Sequence, residues 1–208
     1  MIPKTLFMAW SGSEVPEWAK KAFREYQDCL GSSWTYDFIT DFKIPSAHVL
    51  AQEIERLPNL VYKADIYRLW LLETYGGVWV DTDTRSIRNL EPLLNKGAFA
   101  TCHRTSAKDA LENFHVDSCI LGQEKNGYLT HAVIPQALAS QNKTRYRFGI
   151  KDYLTEKCPV EITIGAFDEA ATKPELFDFL HCRFNPIVPK REDSYIRHYL
   201  TNLHLNKI

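Results

Sequence analysis

Residues 61–83 set the frame for the whole chain. An apolar stretch of helical period runs from Val61 to Tyr75, stops at Gly76-Gly77, and passes directly into Val78-Trp79-Val80-Asp81-Thr82-Asp83. Ile66, Leu69, Trp70 and Leu71 cover a wide face of that helix, so burial on most sides is expected, and glycine supplies the backbone freedom to end it. A helix that gives way at once to a short apolar strand belongs in a sheet covered by helices. Alternate strand residues face the same way. Val78 and Val80 therefore anchor the strand in a core, Trp79 points to the side that carries the acids, and Asp81 and Asp83 can converge on one ion just past the strand end.

The preceding residues repeat the alternation of strand and helix. Thr5 to Trp10 is a predicted strand, followed by a Ser11-Gly12-Ser13 loop and a helix opened by Pro16 and closed by Gly31. Trp34, Tyr36 and Phe38 alternate with Thr35 and Asp37 in a second strand over Ser33 to Ile39. Ser46 is then expected to cap a helix carrying Val49, Leu50, Ile54 and Leu57, ended by Pro58. Such an order predicts an α/β fold with a mainly parallel sheet and helices on both faces, in which ligands gather at the carboxyl ends of strands. The Trp10-Ser11-Gly12 corner and the Asp81/Asp83 pair both sit at such ends. Later elements are weaker: strands over Ala98–His103, Ser118–Leu121 and Val160–Ile164, a helix over Tyr128–Ser140, and a loop-rich tail over 181–208.

Two carboxylates of this kind offer hard oxygen ligands, which select Mg²⁺, Mn²⁺ or Ca²⁺ over zinc. Mg²⁺ in particular is held by one or two carboxylates plus substrate phosphate oxygens. Asp-Thr-Asp after a strand is also ordinary turn chemistry, since Asp and Thr cap neighbouring amides. Asp65 and Arg68, three apart on one helix, make an i, i+3 ion pair on the plainest reading.

Composition narrows the field. The chain has 208 residues, with 25 Lys plus Arg against 26 Asp plus Glu and no long basic run, so the phosphate-neutralising footprint of a nucleic-acid binder is missing. Cys29, Cys102, Cys119, Cys158 and Cys182 are scattered without a Cys-x-x-Cys pair, which argues against a disulfide framework or zinc knuckle and fits a reducing, cytoplasmic compartment. The N-terminus lacks the pattern of a signal peptide, and no stretch is apolar enough to span a membrane.

Three stretches together carry a resemblance: Ile-Pro-Lys-Thr-Leu-Phe-Met-Ala-Trp-Ser-Gly at 2–12, Lys-Ala-Asp-Ile-Tyr-Arg through Gly-Gly-Val-Trp-Val-Asp-Thr-Asp at 63–83, and Asp-Ser-Cys-Ile-Leu-Gly at 117–122. They resemble the sugar-binding DXD glycosyltransferases of family 32 and the related clostridial glucosylating toxins. Ala64 departs from the pattern's usual Ser, and Trp79 from its usual Tyr. The resemblance implies a GT-A fold in one domain over 1–208, with a nucleotide-sugar half at about 1–90 and an acceptor half with a tail at about 91–208. It implies a UDP-sugar donor, UDP-glucose foremost, with Mn²⁺ or Mg²⁺ on the diphosphate and retention of anomeric configuration.

Residue roles follow from the same resemblance. Asp83 becomes the direct metal ligand, and Asp81 shares the ion or the ribose hydroxyls. Asp65 would bind ribose or sugar hydroxyls and Arg68 the sugar or diphosphate. Trp10, next to Ser11, would stack on uracil, and Trp79 has core packing as its alternative. His198 and His204 are candidates for a further metal ligand from the C-terminal segment, and Asp117 is a candidate to face sugar or acceptor. A glycan or glycoprotein acceptor is implied. A further likeness to the amino-terminal domain of large-DNA-virus glycosyltransferases implies a capsid glycan and the host cytoplasm. A haloacid-dehalogenase-type phosphatase, with Asp81 as nucleophile, and a non-catalytic nucleotide-sugar binding module remain open beside this reading.

Overall fold

The computed structural model describes residues 1–12, 14–57, 60–86, 88–95, 98–104, 114–127, 130–131, 134 and 196–198. Five strands form one sheet in the order β2-β1-β3-β6-β5: Thr35–Ile39, Thr5–Ala9, Gly77–Val80, Phe114–Gln123 and Ala98–Arg104. β1 pairs in parallel with both β2 and β3, whereas β6 runs antiparallel to β3 and to β5. Four strands therefore share one direction, and β6 is reversed among them. The expected parallel-dominant α/β sheet is present, with β6 considerably longer than Ser118–Leu121.

The period-2 pattern sorts the core onto two faces. Leu6, Met8, Val78, Val80 and Ile120 pack on Ala22, Tyr26 and Leu30 of helix α1 (Glu17–Leu30). On the opposite face Phe7, Trp79 and Leu121 meet Ile54 of helix α2 (Ala51–Arg56) and Ile66, Leu69 and Trp70 of helix α3 (Leu60–Tyr75). A sheet with helices on both sides needs both side-chain sets apolar, which is why its strands read as nearly continuous hydrophobic runs. No helix of the described residues is long and apolar enough to cross a membrane.

The α3–β3 junction depends on its glycines. Gly76 and Gly77 have φ of 67° and 113°, a region that side chains rarely adopt. A Cβ on Gly77 would also stand 2.7 Å from the Thr5 carbonyl oxygen, inside the β1–β3 ladder. The helix consequently enters the strand with no intervening loop.

Several boundaries differ from the sequence reading. Pro16 precedes α1 as its N-cap, in an extended conformation, and Gly31 closes the helix as expected. Ser46 does not cap α2. The His48 amide instead bonds the Pro45 carbonyl at 2.8 Å in a turn, so the helix starts at Ala51, and Val49 stays exposed. Two short strands, β4 (Thr84–Ser86) and β7 (Ile196–His198), pair antiparallel as a separate ribbon, so part of the supposed loop-rich tail is strand. The expected strand over Val160–Ile164 and most of the Tyr128–Ser140 helix lie outside the described residues; Thr130, His131 and Ile134 of the latter are helical.

Candidate active site

β1 and β3 are parallel neighbours, so their carboxyl ends open on the same edge of the sheet. There a cleft of about 270 Å³ lies between Trp10 and Ser11 after β1, Trp79, Asp81, Thr82 and Asp83 at the end of β3, and Ala64 and Arg68 of α3. Trp18, Phe42, Leu60 and Val61 complete an apolar wall. The expected convergence of the Trp10-Ser11 corner with the two acids is present.

Arg68 organises the polar side. It is 4% exposed, bonds Asp65 at 2.6 Å from the same helix, and reaches across to Asp81 at 3.3 Å. Its guanidinium carbon stands 5.1 Å from the centroid of the Trp79 ring, a cation–π approach. Trp79 is buried in the core and also donates its indole N–H to Asp81 Oδ1 at 2.8 Å. Core packing and site contact are thus combined in one side chain. Where the resembling pattern has a tyrosine hydroxyl, an indole N–H serves as the polar handle.

Asp81 is strained electrostatically. Burial comes first, and the charge of Asp83 adds to it; Arg68 and the Trp79 N–H oppose them, and the balance leaves the Asp81 carboxyl pushed up to about 6. Arg68 is shared between two carboxylates and neutralises one unit of charge at most. A pair of hard oxygen donors lining a cleft and repelling each other's ionisation fits a divalent cation. Among the described residues no group of three or more His, Cys, Asp or Glu could hold a metal by itself. Two carboxylates with remaining positions for substrate phosphates is the arrangement Mg²⁺ and Mn²⁺ commonly take.

Trp10 donates its indole N–H to the Glu14 carbonyl at 2.9 Å and meets Trp18 edge-on, with ring centroids 5.3 Å apart. A Cβ on Gly12 would come within 3.1 Å of the Trp10 Nε1, so the small residue makes room for the indole. Ser11 and Ala64 line the cleft.

The turn that carries the two acids is fastened from behind by residues the sequence did not single out. Thr84 Oγ1 donates to the Asp81 carbonyl at 2.6 Å and lies 2.8 Å from the Tyr26 hydroxyl, which is fully buried on α1. Arg85 bonds the Thr82, Thr84 and Trp18 carbonyls at 3.0, 2.7 and 3.1 Å and the Glu25 carboxylate at 3.0 Å. No periodicity marks Arg85; an arginine beside a cleft reads as solvated until the turn geometry is known.

Two further candidates are placed by backbone alone. The reversed β6 passes the end of β3, where the Asp81 N–H bonds the Cys119 carbonyl at 2.8 Å, and Asp117 follows at that edge, paired in register with Thr101 of β5. His198 of β7 pairs in register with Thr84, next to Asp83 in the chain. His204 lies outside the described residues.

Comparison with known proteins agrees with this geometry. Residues 7–100 match the family described as the glycosyltransferase sugar-binding region containing DXD motif. Inositol phosphoceramide mannosyltransferase 3 of Schizosaccharomyces pombe is 28% identical over 116 residues, covering 54% of this chain and 32% of that protein. Inositol phosphoceramide mannosyltransferase 2 of the same organism is 30% identical over 101 residues, 45% of this chain and 28% of that protein. The chain therefore spans about a third of the length of these curated relatives. Among solved structures, the PaToxG glycosyltransferase aligns with a TM-score of 0.54 and 14% identity over 84% of this chain and 75% of that one, which identifies the fold as that of the GT-A glycosyltransferases.

Proposed function

We propose, for a chain whose residues 7–100 match the sugar-binding region of the DXD glycosyltransferases, that this cleft transfers a hexose from a nucleoside diphosphate hexose to a glycan or glycoprotein acceptor. The observation that carries the reading is the meeting of Asp81 and Asp83 with the Trp10 wall at one pair of parallel strand ends.

Departure of the diphosphate builds negative charge at the metal corner. A bound Mn²⁺ or Mg²⁺ would supply the countercharge there, held by Asp83 and by the Asp81 oxygen that Trp79 leaves open. Trp10 binds the nucleobase, for which stacking contributes about 1–3 kcal/mol. Arg68, held by Asp65 and Trp79, faces the sugar and diphosphate with a planar fork suited to oxygen pairs. His198, in register with Thr84, is the candidate further ligand. By the same resemblance Asp117 is the candidate to face sugar or acceptor, and residues from about 91 onward are read as the acceptor half of a single domain. Positive charge developing at the anomeric carbon is answered by no assigned nucleophile, so retention rests on the resemblance alone.

UDP-glucose is the donor this reading takes first. The curated relatives are named as mannosyltransferases, which favours a mannosyl donor as the second reading. Calorimetric titration with UDP-glucose and GDP-mannose, each with and without Mn²⁺, followed by product analysis with a glycan acceptor, tests both. Metal-dependent binding with sugar transfer supports the proposal. Saturable binding without turnover reduces the site to a binding module, and phosphate release from a simple monoester transfers it to the phosphatases.

A further inference from the structure

Behind the cleft, beside the Tyr26–Thr84 contact, one side chain bonds both the turn that carries the two acids and the helix that carries Trp18 of the aromatic wall. The turn over Asp81–Thr84 leaves the main sheet, and its carbonyls are bonded outside that sheet, the Asp81 carbonyl by the Thr84 amide and hydroxyl. Arg85 Nη1 takes two more, those of Thr82 and Thr84, while Nη2 takes the Trp18 carbonyl in the first turn of α1 and Nε pairs with Glu25, about two turns further along that helix. Trp18 is the residue that meets Trp10 edge-on in the cleft wall. A guanidinium presents five donors in a rigid plane, and here that plane spans two elements that no strand pairing connects.

We propose that Arg85 is a positioning residue: its fork fixes the turn bearing Asp81 and Asp83 against the start of α1, so that the cation corner and the Trp10–Trp18 wall are held as one unit. The inference rests on the reading of Asp81 and Asp83 as a divalent-cation site. Arg85 does not line the cleft, and it acts on the ion only through the backbone that carries the ligands. An ammonium in its place reaches one side of the junction but not both.

The test compares Arg85→Lys and Glu25→Gln with the parent chain by Mn²⁺ titration calorimetry, with near-ultraviolet circular dichroism as the check on folding. Arg85→Lys is expected to weaken Mn²⁺ binding about tenfold or more, and Glu25→Gln, which keeps an acceptor for Nε, to leave it within about twofold. Parent-like affinity in a folded Arg85→Lys overturns the inference and leaves the proposed function standing. An equal loss in Glu25→Gln also overturns it, since charge pairing and not the carbonyl fork would then be responsible. A parent chain that binds no Mn²⁺ removes the proposed function and the inference together. Should Arg85→Lys not fold, hydrogen exchange on the parent decides: residues 81–86 are expected to open together with 17–26, and exchange of 81–86 at the rate of an unrestrained loop overturns the inference.

Discussion

Replacing Asp81 by asparagine should stabilise the metal-free protein while removing its response to metal. Both contacts of the side chain, from Trp79 and Arg68, fall on Oδ1, and an amide oxygen can accept both. What disappears is the ionised form, which burial and the Asp83 charge disfavour so that the carboxyl titrates at about 6. Against an unfolded value of about 3.9, that displacement is worth about 3 kcal/mol. The side chain keeps 26% of its exposure, so water screens part of the effect and about 2 kcal/mol remains. For a chain of this size the melting temperature should rise by about 4–8 °C at pH 7.5. The folded chain holds the Asp81 proton at pH values where the unfolded chain has already lost it, so parent stability falls as pH rises between about 4 and 6. The advantage of Asp81→Asn is therefore absent near pH 4, grows through that window and is complete above it. Added Mn²⁺ at a hundred times its dissociation constant should raise only the parent, by about 2.7 kcal/mol. Scanning calorimetry of both proteins at pH 4.5 and 7.5, with and without Mn²⁺, measures all of this. A lower melting temperature for the metal-free variant at pH 7.5, or an offset that ignores pH, would refute the electrostatic reasoning.

Asp83→Ala should abolish both Mn²⁺ binding and sugar transfer with the fold kept; a transfer rate equal to the parent's removes the metal assignment. Trp10→Ala should weaken binding of the nucleoside diphosphate by about 1–3 kcal/mol in calorimetry with an unchanged far-ultraviolet spectrum, and equal affinity would return that indole to a structural role. Gly77→Ala, at φ of 113° and 2.7 Å from the Thr5 carbonyl, should lower stability by about 1–3 kcal/mol or more in urea unfolding; a loss below about 0.5 kcal/mol would show that the α3–β3 junction has room to relax.

The first half of the fold was open to sequence reading because its signals are local. Gly31 and Gly76 end helices by backbone conformation, and Val78, Trp79 and Val80 declare their faces by alternation. The reversal of β6 was hidden because direction is set by partners distant in sequence, and Ile120 or Leu121 look alike in either sense. The α2 start was misplaced since the His48–Pro45 turn competes with Ser46 for the backbone. β4 and β7 are three residues each, too short for any period to register. In the site, the side shared by Trp79, Asp81 and Asp83 followed from strand parity, whereas the Trp79 N–H contact and the Arg85 fork depend on distances no spacing encodes.

The absence of a loop between α3 and β3 makes this half of the cleft intolerant of insertion. Asp65 and Arg68 are counted from Gly76 along a helix, and Asp81 is counted from Gly77 along a strand. One added residue would swing the first pair by about 100° or turn the second to the opposite face of the sheet. Variation that alters donor preference is therefore confined to substitution, as at the cleft-lining Phe42, Leu60 and Val61, which leaves that count intact.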